Sequence, residues 1–322
     1  MKRYLGLDLG GTKIKAAVIE SAHPPVVVHT ASTPTRASEG PAAVVERMVR
    51  LGRDLTDEVG PLDGLGAGVP GLFDFDTGVV TFFTNLPGAW EGFPLRAKLA
   101  DGLKVPATLI NDARAFTLAE ATLGAGRGCT TVACITLGTG VGGGLFINGE
   151  LHFGAFGIAG ELGHQTVQPD GPVCGCGNAG CMEALTRASA IAAAAGRATI
   201  EEVLAGADEG DAACRAALAD AATYFGIGLA NIVTTVGAER IVIGGGVATA
   251  GDALLGLIRR AVQDRVTLVP PDQVEIVAAE LGTGAGAIGA ALAAIESPTK
   301  DRRFLAGDFK SAQLRRGEIT DS

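Results

Sequence analysis

Between Glu161 and Glu183 the chain gathers metal-binding residue types beside two acids. E-L-G-H at 161–164 is followed by C-G-C-G-N-A-G-C-M-E at 174–183. His164, Cys174, Cys176 and Cys181 offer one imidazole and three thiolates, the soft nitrogen and sulfur set that closes a tetrahedral structural zinc site. Gly175, Gly177 and Gly180 allow the tight backbone path that lets three sulfurs converge. A pair of disulfides is the alternative; nothing at the N-terminus reads as a secretory signal, which speaks against it. Zinc there would also fix Glu161, three residues before one ligand, and Glu183, two residues after another. One ring nitrogen of His164 could bind the metal and the other a substrate. The plainer alternative makes both glutamates solvated surface charges.

A second candidate for chemistry is Asn111-Asp112, where a short apolar run at 108–110 meets a helical pattern at 113–123. An Asp or Asn here is also the favoured helix N-cap. A carboxylate at a strand's end lies where open α/β sheets bind ligands. It could take a proton from a hydroxyl attacking a γ-phosphate, or orient that hydroxyl.

Residues 4–19 and 131–147 read alike, each an apolar strand, a glycine-rich reversal and a second strand. Such turns let successive N–H groups point at one spot, a nest suited to phosphate oxygens. Ordinary hairpins are the alternative for either segment alone, and their repetition half a chain apart argues for a duplication. Neither is a Walker A loop, and neither opens a helix in the dinucleotide-binding manner. A third glycine cluster ends the buried strand R-I-V-I-G-G-G-V at 240–247, and a helical pattern follows at 252–266. Strand, glycine turn and helix suit a nucleoside phosphate or ribose, or form a simple β–α connection.

These sites need elements to hold them. Val44, Met48, Leu51, Leu55 and Val59 mark one face of a helix that Gly60-Pro61 ends. A strand is expected at 65–69, turning at Pro70-Gly71, with alanine-rich helices at 212–236 and 285–296. Residues 298–322 are charged and poor in periodic apolar residues, as in a loosely held tail. The chain of 322 residues, 47% apolar with 48 glycines, is long enough for two core-bearing domains. The uncharged runs at 132–149 and 221–238 are interrupted by glycine or polar residues, so neither reads as a membrane span. A net charge of −9 argues against nucleic acid and anionic polymers as partners. Cys129, Cys134 and Cys214 sit in apolar or alanine-rich settings, as buried structural thiols do.

Taken together, the motifs resemble the ROK family of bacterial sugar kinases and repressors, its glucokinases above all. Across residues 4–296 the resemblance rests on D-L-G-G-T-K at 8–13, G-V-P-G at 68–71, N-L-P-G-A-W at 85–90 and N-D at 111–112. It continues through L-G-T-G-V-G-G-G at 137–144, E-L-G-H, the cysteine cluster and G-G-G-V at 244–247. The resemblance implies an α/β, actin-like ATPase (ribonuclease H-like) duplicated fold with a cleft between two domains. The smaller would span 1–111 plus a C-terminal helix near 285–297, and the larger 112–284 with the zinc-binding sugar loop. It implies a cytoplasmic homodimer or homotetramer that phosphorylates a hexose, glucose to glucose 6-phosphate first. N-acetylglucosamine, N-acetylmannosamine, fructose or another polyol would be the alternative acceptors.

By the same resemblance Asp112 would be the catalytic base, and Asn111, Glu161, His164 and Glu183 would grip the other hydroxyls, with Gly71 and Asn85 lining the pocket. Gly10, Gly11, Thr12 and Lys13, with Gly138, Thr139 and Gly140, would embrace the ATP phosphates. Gly244, Gly245 and Gly246 would border the adenosine, and Asp8 would face Mg2+ through water. Zn2+ would shape the sugar loop rather than act in the reaction. One departure stands out: the family often has N-D-A-N where this chain has N-D-A-R, with Arg114. A sugar-sensing repressor is disfavoured because the first strand begins at Tyr4 and the charge is acidic. The sugar-site residues disfavour a chaperone-type ATPase of the same fold. The zinc motif and the acidic charge both disfavour polyphosphate as the donor.

Overall fold

The computed structural model describes residues 1–83, 86–246 and 252–296; Asn85 and the tail at 298–322 lie outside them. Strands β1 (Arg3–Leu9) and β2 (Lys13–Glu20) form an antiparallel hairpin whose last pair is Leu9 and Ile14. Strand β3 (Val26–Pro34) alternates exposed and half-buried residues, as an edge strand does. Helix α1 (Pro41–Val59) opens with proline at its first position and buries the Val44, Met48, Leu51 and Leu55 face. Strand β4 (Gly64–Val69) is buried throughout, the mark of a central parallel strand. A ribbon of β5 (Gly71–Phe73) and β6 (Val80–Phe83), helix α2 (Leu95–Leu103), β7 (Ala107–Asn111) and α3 (Asp112–Thr122) complete the first half.

The second half repeats the plan. Strands β8 (Thr131–Leu137) and β9 (Val141–Ile147) form the second hairpin, with β10 (Glu150–Leu151) at its edge. Helices α4 (Met182–Thr186), α5 (Ala188–Ala194), α6 (Ile200–Glu209) and α7 (Ala212–Val236) follow. Then come β11 (Arg240–Gly244), α8 (Asp252–Gln263), β12 (Glu275–Ala278) and α9 (Ala285–Glu296). The sheets run β3-β2-β1-β4-β7 and β10-β9-β8-β11-β12. In each, an antiparallel hairpin continues into two parallel strands, so the duplication read from the glycine turns extends to the whole sheet order.

Helices α3 and α9 pack on each other between the sheets, α9 lying on β1, β2 and β4 and α3 on β8 and β9. Their apolar residues, among them Leu118 and Leu292, form a third core beside those of the two halves. Each such buried leucine contributes about 1.5–3 kcal/mol. Contact this close requires glycine: a Cβ on Gly66 of β4 would stand 1.7 Å from the Ala290 carbonyl oxygen of α9. Helix α7 is long and apolar enough to cross a membrane by composition, yet 61% of its most apolar stretch is buried in the protein. Cys134 and Cys214 are buried and Cys129 is half-buried.

Candidate active site and metal-binding knuckle

The head of α3 is built by Asn111, whose side-chain oxygen accepts hydrogen bonds from the backbone N–H of Ala113 at 3.1 Å and Arg114 at 3.3 Å. With Asn111 as the cap, Asp112 becomes the first helical residue, and its carboxylate accepts from Ala113 N–H at 2.8 Å. It faces a cleft of about 530 Å³ that Asp8, Gly10, Thr12, Thr139 and Gly245 also line. Asp112 is half-buried at the floor of this cleft. Burial pushes its pKa up to about 6 against the pull of the Ala113 N–H, and the negative charges of Asp8 and Glu161 add to the rise. Burial also raises the pKa of Asp8, opposed by the charge of Lys15. Two carboxylates raised by burial, the charge of Asp8 adding to the rise at Asp112, fit a hard divalent cation such as Mg2+, which takes oxygen ligands and retains water.

Both hairpin turns reach the cleft. In the first, Gly10 N–H donates to the Lys13 carbonyl at 3.1 Å. The buried Thr35 clamps this turn, its hydroxyl donating to the Gly10 carbonyl at 2.6 Å and its N–H to the Thr12 carbonyl at 2.9 Å. Gly11 lines the cleft with them, whereas Lys13 is exposed and is not part of its lining. In the second turn Gly138 N–H donates to the Gly140 carbonyl at 3.0 Å. Gly245 follows strand β11 into the cleft, while Gly244 packs under the Phe116 ring, and Gly246 completes the turn. Gly282 and Thr283 also line the cleft, and the Lys15 ammonium donates to the Thr283 carbonyl at 2.7 Å.

His164, Cys174, Cys176 and Cys181 come together, one ligand atom from each lying within 4.8 Å of all the others. The Cys176 and Cys181 sulfurs are 3.6 Å apart, as are the Cys174 sulfur and His164 Nδ1. Tetrahedral ligation at the usual zinc–sulfur length puts ligand atoms roughly 3.8 Å apart, so the donor set and its spacing fit zinc. A sulfur separation of 3.6 Å is far longer than a disulfide bond, so Cys176 and Cys181 meet as neighbouring sulfurs and not as a bridge. The knuckle turns on positive φ at Gly177 and Gly180 but not at Gly175, and a Cβ on Gly180 would stand 1.5 Å from the Gln168 carbonyl oxygen. The Asn178 amide steadies it, donating to Cys181 Sγ at 3.3 Å and to the Thr166 hydroxyl at 2.8 Å.

The two glutamates are held rather than loose. Glu183 accepts from Val141 N–H at 2.9 Å through one oxygen, and its other oxygen lies 3.5 Å from Cys174 Sγ. It therefore ties the knuckle to the start of β9. Glu161 pairs with Arg114 at 3.5 Å. Glu161, His164, Glu183 and Gly71 lie outside the cleft's lining; Glu161 is near enough to act on the Asp112 charge. Sequence reasoning did not find Thr35, Thr136, Asn178 or Thr283. A signal for Thr283 existed: L-G-T-G occurs at 281–284 as well as at 137–140.

The ROK family profile matches residues 4–297. The chain belongs to the ROK family. A glucokinase of Halalkalibacterium halodurans is 36% identical over 310 residues, covering 89% of this chain and 93% of that protein. An N-acetylmannosamine kinase of Haemophilus influenzae is 34% identical over 298 residues, covering 90% and 94%. The structure of a ROK glucokinase from Streptomyces griseus, in complex with glucose and AMPPNP, superposes with a TM-score of 0.76. It is 30% identical and covers 92% of this chain and all of that one. The fold is accordingly the actin-like ATPase fold of ROK sugar kinases, and its doubled sheet order is the structural form of that duplication.

Proposed function

We propose that this ROK protein transfers the γ-phosphoryl group of ATP to a hexose hydroxyl, glucose O6 foremost. The observation that carries the reading is Asp112, a carboxylate raised by burial to about 6 at the floor of a cleft lined by two glycine hairpins. A base with that pKa is ionised at neutral pH yet basic enough to accept the hydroxyl proton as the O–P bond forms. The hairpin N–H groups would hold the phosphates in line with that hydroxyl, and Asp8 would hold Mg2+ through water. Bound Mg2+ supplies charge neutralisation between the phosphates. Asn111, Glu161, His164 and Glu183 would orient the sugar so that one hydroxyl meets Asp112. His164, Cys174, Cys176 and Cys181 would bind Zn2+, leaving the second ring nitrogen of His164 for the sugar. We take residues 1–111 with α9 as the smaller domain and 112–284 as the larger, their closure excluding water that would otherwise accept the phosphoryl group. Packing of α9 on the first sheet supports that division. A cytoplasmic location and a dimer or tetramer belong to the same reading.

The test is ADP release from MgATP with glucose, mannose, N-acetylglucosamine, N-acetylmannosamine, fructose and inositol. Strong turnover with glucose is expected. The similarity to an N-acetylmannosamine kinase makes that sugar the second reading, decided by the ratio of kcat/KM values. Sugar binding without turnover of any acceptor would overturn the kinase reading in favour of a sensor.

A further inference from the structure

Arg114 is where this chain departs from the N-D-A-N pattern, and its surroundings are unusual for a cation. The side chain is 6% exposed, although it follows Asp112 by two residues at the head of α3. One guanidinium nitrogen lies 3.5 Å from a Glu161 carboxylate oxygen and 3.4 Å from the Ala159 carbonyl. The guanidinium carbon stands 5.2 Å from the centre of the Phe153 ring, within cation–π reach. Three points of the 153–161 segment are thus gathered on one buried charge. Among the described residues, Arg114 Nε is the buried side-chain nitrogen or oxygen without a hydrogen bond. The fork is therefore turned to serve Glu161, Ala159 and Phe153 at the expense of its own saturation.

Resting on the kinase reading, we infer that Arg114 is the positioning residue for Glu161, fixing that carboxylate as an oriented acceptor of sugar hydroxyls and so setting sugar affinity. Glu161 is 41% exposed, so it keeps a face for a ligand while the buried cation holds it from behind. The backbone geometry agrees: the Asn111 cap that presents Asp112 also binds the Arg114 N–H. Base and positioning cation are consequently fixed by one turn of helix. A sugar hydroxyl donating to Glu161 would meet a carboxylate whose direction is already set, and binding would spare the cost of ordering it.

The test is a double-substitution cycle with R114M and E161Q. It reads the KM for the sugar that the wild type turns over, the KM for MgATP, and sugar affinity by calorimetry without nucleotide. R114M is expected to raise the sugar KM and Kd about tenfold while the KM for MgATP stays within about twofold. R114M/E161Q is expected to bind sugar no more weakly than E161Q alone, because the cation acts through that carboxylate. R114K keeps the charge but not the fork, and an intermediate sugar KM is expected; it replaces R114M in the cycle if R114M does not fold. An unchanged sugar KM in R114M would overturn the inference, as would effects that multiply independently or fall equally on MgATP. Absence of wild-type turnover and sugar binding would instead overturn the kinase reading.

Discussion

The Asp112→Asn substitution separates function from stability at one atom. Burial lifts the Asp112 pKa from the ordinary 3.8 to about 6, so the ionised form is less stable folded than unfolded. Each pKa unit carries about 1.4 kcal/mol, which makes the cost about 3 kcal/mol when the group is fully ionised. Water on its cleft face makes this an upper figure. The sign follows from proton counts: between pH 3.8 and 6 the folded state holds more proton than the unfolded one. The contribution of this residue to stability is therefore lost as pH rises through that window and stays lost above it. Asparagine carries no charge, keeps an oxygen for the Ala113 N–H, and should recover the loss. D112N is expected to unfold at higher urea than wild type at pH 7.5, by up to about 3 kcal/mol, with the difference shrinking toward zero near pH 4. Its turnover should fall by orders of magnitude, roughly 10²–10⁴-fold, for loss of a general base, with sugar binding retained. The wild-type kcat/KM for sugar should fall on the acid side of about pH 6. Equal stability of the two proteins at pH 7.5, or near-normal turnover in D112N, would refute the account of a desolvated base.

Cys176→Ser should lower zinc content well below one ion per chain by atomic emission and raise the sugar KM roughly tenfold through a displaced His164; full zinc with unchanged KM would count against the knuckle's role. Glu120 is fully buried and its carboxylate accepts from the N–H groups of Ala125, Glu280 and Leu281 at 2.9, 3.1 and 2.9 Å. E120Q brings an NH2 against those donors and should cost about 3 kcal/mol in chemical denaturation. Gly66→Ala would set a methyl 1.7 Å from the Ala290 carbonyl oxygen, so α9 must shift, and a loss of about 3 kcal/mol or more is expected. A melting temperature within a degree of wild type would contradict this packing.

Much of this arrangement is legible in the sequence because it is local. A strand, a glycine turn and a strand are contiguous, so both hairpins can be placed from the order of residues alone, as can the junction at Asn111-Asp112. The knuckle ligands are legible from spacing because a short loop with three glycines leaves sulfurs few ways to avoid one another. What escapes such reading depends on partners distant in the chain. Thr35 matters because β3 returns its end to the Gly10 turn, a pairing no single motif encodes. Arg114 stands out in the sequence as a cation that could contact phosphate, pair with a carboxylate or reach solvent, and what decides for the carboxylate is a loop 45 positions away. Glu183 and Glu161 stand out by their spacing as groups that bound zinc would fix, but not by the partners that hold them, a backbone N–H of β9 and that same arginine.

Helix α3 couples these groups mechanically. Its head carries the Asn111 cap, Asp112 in the cleft and Arg114 against the 153–161 segment, and its far end carries Glu120, bound to the turn before α9. It lies on the second sheet while α9 lies on the first, so both sheets meet along the pair. A displacement of α9 relative to the second sheet must therefore strain the Glu120 hydrogen bonds or move α3, and moving α3 carries Asp112 with it. Because protein interiors are close-packed, such a helix pair passes a shift on as a rigid displacement rather than absorbing it. The prediction for E120Q follows with a second readout: beyond lost stability, kcat should fall more than sugar affinity. Glu120 lies outside the cleft's lining, yet it holds the helix that carries Asp112, the proposed base.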